Sequence, residues 1–251
     1  MQHGLLNFDQ LPESFVNSVR AKSRTDAETD AWRKARLGKI TGSRFGQVRQ
    51  TNKGEWGETA QSYLFELVSE WLTGAPADTF STTATSWGIE HESEALELYR
   101  RTTGHDLLPG RFFQMQGMAL VGSTPDGLVG EDGVVEAKCP WTPKNHLRTV
   151  IRREVPAEYQ DQVDGHMLVT GRQWCDFISY DPRIPAEKHR LIIIRVDRDE
   201  ERMQNLRSRL YEFEQHLIGL LVELEVPIDA LFRKDPAEPP ISTPIIGIEE
   251  Q

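Results

Sequence analysis

Two cysteines in 251 residues, Cys139 and Cys175, with no Cys-x-x-Cys spacing, leave no material for an iron–sulfur cluster, a structural zinc or a disulfide framework. Such usage fits a reducing cytoplasm. Apolar runs long enough to span a bilayer are also missing, and Gly4–Phe8 is too short for a signal peptide and carries no cleavage site. No membrane association is expected. Internal repeats are absent. Net positive charge is absent as well: the sum is −10, which taken globally counts against a nucleic-acid partner.

What is present revises that last inference. Residues 20–53 hold Arg20, Lys22, Arg24, Arg33, Lys34, Arg36, Lys39, Arg44, Arg49 and Lys53, and a second basic group follows at Lys144, His146, Arg148, Arg152 and Arg153. The excess acid lies elsewhere, in residues 90–97 and 197–251. A local basic channel in an otherwise acidic protein fits DNA. With 38% apolar and 27% charged residues the chain is that of a globular domain.

Helices are expected around Glu13–Lys22, from a Thr29-Asp30 cap through Arg36, from Thr59 to Leu72, from Gly88 to Thr103 and from Glu158 to Thr170. A further helix begins at Asp197 and carries Met203, Leu206, Leu210, Phe213, Leu217, Leu220 and Leu224 on one stripe. Thr41-Gly42-Ser43 opens another short one. Strands are expected at Met118–Val121, Val134–Ala137, Trp174–Tyr180 and Leu191–Val196, the last central because it is almost continuously apolar. The pattern is α/β, a small mixed sheet flanked by helices. One domain over residues 1–234, with an N-terminal arm over 1–25, and a disordered proline-rich tail over 235–251 complete the expectation.

The chemistry concentrates at Ser123-Thr124-Pro125-Asp126-Gly127 and Glu136-Ala137-Lys138, with the turn signal Glu131-Asp132-Gly133 between them. Alternation along a strand puts Glu136 and Lys138 on one face and Val135, Ala137 and Cys139 on the other. Charges on a sheet face are costly to bury unless paired or metal-bound. A solvent-facing hairpin is the plain alternative. In the helix ending at Gly104, Ile89, Glu92, Leu96 and Tyr99 share one face, so Glu92 sits on an apolar stripe and needs a cation or a donor there. His91 and His166 have no partner at ligand spacing and read as solvated or hydrogen-bonded core histidines rather than metal ligands.

The chain resembles the phage lambda exonuclease family, the YqaJ-like viral recombination exonucleases with a Pro-Asp…(Asp/Glu)-x-Lys nuclease core. The resemblance runs from about Trp32 to Glu225 and is carried by residues 32–43, Trp87-Gly88 leading to Glu92, residues 124–128, residues 136–140, Tyr159 with Gln162, and Tyr180-Asp181-Pro182-Arg183. It implies a restriction-endonuclease-like PD-(D/E)xK core and a Mg²⁺-dependent exonuclease that degrades linear duplex DNA from 5′ ends to 5′-mononucleotides, leaving 3′ overhangs. Two Mg²⁺ ions are implied per site, with Mn²⁺ as a substitute. Asp126, Glu136, Glu92 and the carbonyl of Ala137 are the implied ligands, and Lys138 the residue that holds and polarises the attacking water.

The resemblance further implies a 5′-phosphate pocket of Arg36, Ser43, Thr124 and Gln162. Thr124 replaces a serine of the relatives, and His166 stands where many relatives have tyrosine four residues after the glutamine. Lys144, Arg148, Arg152 and Arg153 are candidates for contacting the duplex backbone. A ring-shaped homotrimer around DNA, a single-strand annealing partner and a bacterial host cytoplasm are implied as well. Two other readings stay open: an endonuclease of repair or restriction type on the same core, and a non-catalytic DNA-binding assembly subunit.

Overall fold

The computed structural model describes residues 26–77 and 82–228. The expected helix around Glu13–Lys22 and the tail from Asp235 lie outside these residues. The elements run in the order α1 (Asp26–Arg36), β1 (Ile40–Thr41), a 3-10 turn (Gly42–Gln47), α2 (Glu58–Thr73), α3 (Thr83–Thr103), β2 (Leu107–Pro109), β3 (Phe113–Gln114), β4 (Val121–Ser123), β5 (Gly127–Val129), β6 (Gly133–Lys138), α4 (Pro143–Arg152), α5 (Ala157–Thr170), β7 (Trp174–Tyr180), α6 (Glu187–Arg190), β8 (Leu191–Asp197) and α7 (Glu200–Glu223). Among the described residues no helix is long and apolar enough to cross a membrane.

Two sheets organise the chain. Five strands lie in the order β2-β5-β6-β7-β8, mixed because β6 and β7 are parallel and the other pairs antiparallel. A smaller sheet has the order β1-β4-β3. On one face of the larger sheet Val135, Ala137, Cys139, Ile178 and Tyr180 pack on Ala95, Leu96 and Tyr99 of α3. On the other face Val134, Cys175 and Phe177 pack on Val163 and Met167 of α5 and Met203 of α7. The alternation expected for β6 therefore holds: even positions face α5 and odd positions face α3. The small sheet shares a third cluster with α2 and α7, around Ile40, Phe45, Tyr63, Leu67, Leu210 and Phe213.

Helix ends follow local chemistry. Gly74 and Gly104 close α2 and α3 in the left-handed conformation, each returning its N–H to the carbonyl four residues back. Thr82 caps α3 by accepting from the Thr85 N–H, so that helix starts five residues before the expected Gly88. Asp199 does the same for α7, accepting from Arg202 N–H.

Three expectations need correction. The strand placed at Met118–Val121 instead covers Val121–Ser123 and belongs to the small sheet, while the hairpin partner of β6 is β5. The Leu120 carbonyl accepts from the Ile40 N–H, but Lys39 Nζ donates to the Ala119 carbonyl and Glu214 accepts from the Leu120 N–H, so side chains replace the ladder before Val121. Second, β8 is an edge strand. Its apolar run reflects helices on both faces, Ile193 packing in the α3 cluster and Ile194 in the α5 cluster. Third, the α7 stripe drifts: Leu221 is buried where Leu224 was expected, and Leu224 is exposed. A strict three–four spacing does not track a straight helix over six turns.

Candidate active site

The sequence between β4 and β6 builds the site. Thr124-Pro125-Asp126 leaves the small sheet and enters β5 of the large one, so Asp126 lies at the junction of the two. Its backbone N–H donates to the Val135 carbonyl and its Oδ2 accepts from the Ala137 N–H at 2.7 Å, which locks the aspartate against β6. Gly110 makes this approach possible: a Cβ there would stand 1.6 Å from the Pro125 carbonyl oxygen.

Glu136 projects from the α5 side of β6 and is buried. Its Oε1 accepts from Gln162 Nε2 at 2.6 Å and pairs with Lys138 Nζ at 2.6 Å. Its Oε2 meets His166 Nε2 at 2.7 Å, and His166 Nδ1 in turn meets Ser123 Oγ at 2.7 Å. Burial alone would push this carboxyl up, but the Lys138 ammonium, then His166, hold it down at about 2. Lys138, stacked 4.9 Å over the Tyr159 ring, would lose its proton more readily through desolvation, yet the Glu136 and Asp126 carboxylates raise it and keep it charged. Asp126 shifts the other way. Burial, then the negative charges of Glu136 and Glu92, lift it well above the usual carboxylate range.

Glu92 comes from α3 and lines a cavity of about 530 Å³ together with Ala137, Lys138, Trp141 and Tyr159. Its neighbour on the expected apolar stripe, Ile89, is 70% exposed at the mouth of this cavity, while Leu96 and Tyr99 are buried. The stripe is core at its C-terminal end and cavity wall at its N-terminal end. Glu92 is thus placed by a helix whose lower half is anchored.

A second cavity, of about 800 Å³, is lined by Trp32, Arg33, Arg36, Lys39, Ser43 and Arg44 among others. Arg36 stacks over Trp32 and reaches Thr124 Oγ1 at 3.5 Å, connecting this cavity to the residue two before Asp126. Of the four residues expected to take a terminal phosphate, Arg36 and Ser43 line this space and Thr124 adjoins it, whereas Gln162 is placed on Glu136. Part of the N-terminal basic run has a structural role: Arg44 pairs with Glu66, Arg49 with Asp161, and Lys39 with the Ala119 carbonyl.

Lys144, Arg148, Arg152 and Arg153 are all exposed on or just after α4, with Arg148 and Arg152 at long distances from Glu158 and Glu154. His146, counted with them in sequence, is instead buried between Ser179 and the His189 carbonyl. His166 is a buried, hydrogen-bonded histidine, one of the two roles the sequence left open, but sequence reading missed that its partner is Glu136; its place one helical turn after Gln162 was the available signal.

The donor set suits a hard divalent cation: carboxylates and a carbonyl, with Asp126 destabilised by neighbouring negative charge. Among the described residues no three acidic, histidine or cysteine side chains stand close enough together to hold a metal as they are. Glu136 has three donors on its roughly four lone-pair positions, which leaves one on Oε2. Asp126, Glu92 and the Ala137 carbonyl, with that single Glu136 oxygen, are the groups that could hold an ion.

Comparison with known proteins agrees with this architecture. Residues 31–173 match the family model of the YqaJ-like viral recombinase domain. An alkaline exonuclease from Laribacter hongkongensis, LHK-Exo, has a crystal structure similar to this chain, with a TM-score of 0.72, 32% identity, and coverage of 80% of this chain and 99% of the other. The same enzyme in complex with dAMP matches equally. A phage-related exonuclease from Haemophilus somnus, at 18% identity and a TM-score of 0.62 over 74% of this chain and 96% of the other, shares the fold. No curated protein matches. These likenesses support a nuclease function on a PD-(D/E)xK core. Matched over more than half its length by the family model, and over four fifths by a crystallographic relative, the chain belongs to the YqaJ-like viral recombinase family.

Proposed function

We propose that this chain is a Mg²⁺-dependent exonuclease that degrades linear duplex DNA from 5′ ends, releases 5′-mononucleotides and leaves 3′ single-stranded overhangs. The observation that carries the reading is the grouping of four charged residues: Glu92 and Lys138 line one cavity, Glu136 pairs with Lys138, and Asp126 is held on the Ala137 N–H within reach of the Glu136 and Glu92 charges. Asp126, Glu92, the Ala137 carbonyl and one Glu136 oxygen would hold Mg²⁺, two ions per site, with Mn²⁺ as a substitute. Bound there, the metal supplies Lewis-acid polarisation of the phosphodiester and a more acidic water.

The chain's own groups do the rest. Lys138 keeps its ammonium at the cavity wall, where it orients the attacking water and offsets charge that develops on the phosphate. Gln162 and His166 hold the Glu136 carboxylate in one orientation. Arg36 offers a guanidinium fork to a terminal 5′-phosphate, assisted by the hydroxyls of Ser43 and Thr124. Gln162 can serve both Glu136 and a phosphate oxygen, because its amide carries two N–H donors. Lys144, Arg148, Arg152 and Arg153 track the duplex backbone. Membership of a viral recombinase family supports a ring-shaped homotrimer around the duplex, delivery of the single strand to an annealing protein, and work in the cytoplasm of a bacterial host.

The test is product release from linear duplexes with 5′-phosphate or 5′-hydroxyl ends beside a covalently closed circle, with and without Mg²⁺. Mononucleotides from the phosphorylated linear substrate alone are the expected result. Cutting of the circle would move the chain to an endonuclease. Silence on every substrate would leave a DNA-binding assembly subunit.

A further inference from the structure

The Tyr180-Asp181-Pro182-Arg183 segment has no part in the chemistry above, yet its bonds lead straight to the cavity wall. Asp181 is fully buried at the end of β7 and grips Arg183 through both oxygens, at 2.8 and 2.9 Å. The same guanidinium donates to the carbonyls of Pro140 and Trp141, at 3.2 and 3.0 Å. It also lies 4.3 Å over the Trp87 ring, and Trp87 meets Trp141 edge-on with centroids 5.2 Å apart. Together these interactions fix Pro140 and Trp141, the second and third residues after Lys138.

What they fix is an exposed indole. Trp141 is 46% exposed although it is the largest apolar side chain in its loop, and it lines the cavity that also holds Glu92, Ala137 and Lys138. Burying an indole is normally the cheapest way to hold one. Here the backbone is clamped and the ring is left open at the cavity wall. The exposed basic side chains Lys144 and Arg148 begin directly after it on α4. A rigid aromatic face followed by cations is the combination that binds single-stranded nucleic acid, the ring taking a base and the cations the backbone.

We propose that Trp141 is a stacking platform for the unpaired nucleobase of the nucleotide being removed, and that Arg183, held by Asp181, is the positioning residue that keeps the platform beside Lys138. The assignment rests on the exonuclease reading. It gives the enzyme an interaction that depends on the presence of a base but not on its identity, since every base has a π-face.

The experiment compares a phosphorylated linear duplex with the same duplex abasic at its 5′-terminal nucleotide, using wild type, Trp141→Phe, Trp141→Ala and Arg183→Lys. For wild type the abasic end should raise KM roughly tenfold, the size of a missing base–aromatic stack, with little change in kcat. Trp141→Ala should start at that raised KM and show no further abasic effect, Trp141→Phe should restore most of the difference, and Arg183→Lys should fall between. A 2-aminopurine at the terminal position, bound in EDTA, should be quenched by wild type and not by Trp141→Ala. A wild type that cleaves both ends with equal KM overturns the proposal without recourse to any variant. So does an abasic penalty that persists undiminished in Trp141→Ala. Failure of wild type to degrade either duplex would overturn the exonuclease reading and this proposal together, whereas cleavage without base dependence overturns this one alone.

Discussion

At the scale of single residues, the site sets its charges against one another. Asp126 is the unstable member, raised by burial and by two neighbouring carboxylates. A carboxyl raised by folding binds its proton more tightly in the native state, so its contribution to stability declines as pH rises from the usual aspartate value through the raised one. In metal-free protein Asp126→Asn should therefore melt higher than wild type at neutral pH, by about 2–4 °C for a cost of ~1 kcal/mol. The difference should vanish in acid, and calorimetry across pH reads it directly. Equal melting temperatures at neutral pH would show that Asp126 carries no such cost. Glu136 behaves oppositely. Its depressed carboxyl stabilises the fold above the usual glutamate value, and that contribution is lost as pH falls toward about 2. His166 holds the same carboxylate by one oxygen. Replacing it by alanine should raise the Mg²⁺ concentration for half-maximal activity by about 10–100-fold, the usual effect of removing a group that orients a metal ligand. Mn²⁺ binding followed by electron paramagnetic resonance should weaken in parallel, and unchanged binding would reduce His166 to a core residue.

At the scale of elements, the junction between the two sheets matters most. Gly110 passes under Pro125 with no room for a side chain, and the Gly110 N–H points at the Asp126 carbonyl. Gly110→Ala should cost about 1–3 kcal/mol through backbone displacement, and should lower activity more than stability because Asp126 moves with it. Denaturant melts beside rate assays separate the two effects; full activity with a lower melting point would detach Asp126 from this packing. The junction was also where the sequence was least legible. Periodicity located β6, β7, α2 and α5 to within a residue or two, because each has one apolar face or a glycine stop. It misplaced the strand before Asp126, because the Ala119 carbonyl and the Leu120 N–H are satisfied by the side chains of Lys39 and Glu214, which lie far away in sequence. It made β8 central because covering on both faces looks the same whether or not a neighbour strand lies beyond. The residues that meet around Asp126 were readable through motifs. The clamp of His166 on Glu136 was legible only as far as a hydrogen-bonded core histidine one turn after Gln162, since which carboxylate it meets is set by tertiary packing.

At the scale of the whole molecule, a chain with a net charge of −10 must present its cations locally to bind a polyanion. Arg33, Arg36, Lys39 and Arg44 line one cavity, and Lys144, Arg148, Arg152 and Arg153 lie exposed around α4. Alanine at each of the last four should lower the slope of log affinity against log salt by about 1 for every phosphate no longer neutralised, without changing which sequences are cut. An unchanged slope would leave α4 a solvated face. Arg36→Ala tests the proposed 5′-phosphate pocket instead. It should erase most of the preference for a 5′-phosphate over a 5′-hydroxyl while cleavage persists.

Each of these outcomes depends on one site being the seat of a divalent-dependent cleavage. The most direct measurement is the rate of mononucleotide release from a 5′-phosphorylated linear duplex, followed over a Mg²⁺ titration for wild type, Asp126→Asn and Lys138→Ala. Wild type should show saturable Mg²⁺ dependence, and each variant should be slower by about 10²–10³-fold or more, with cooperative melting preserved. Release at wild-type rates by either variant, or by wild type in EDTA, would contradict the assignment of the site.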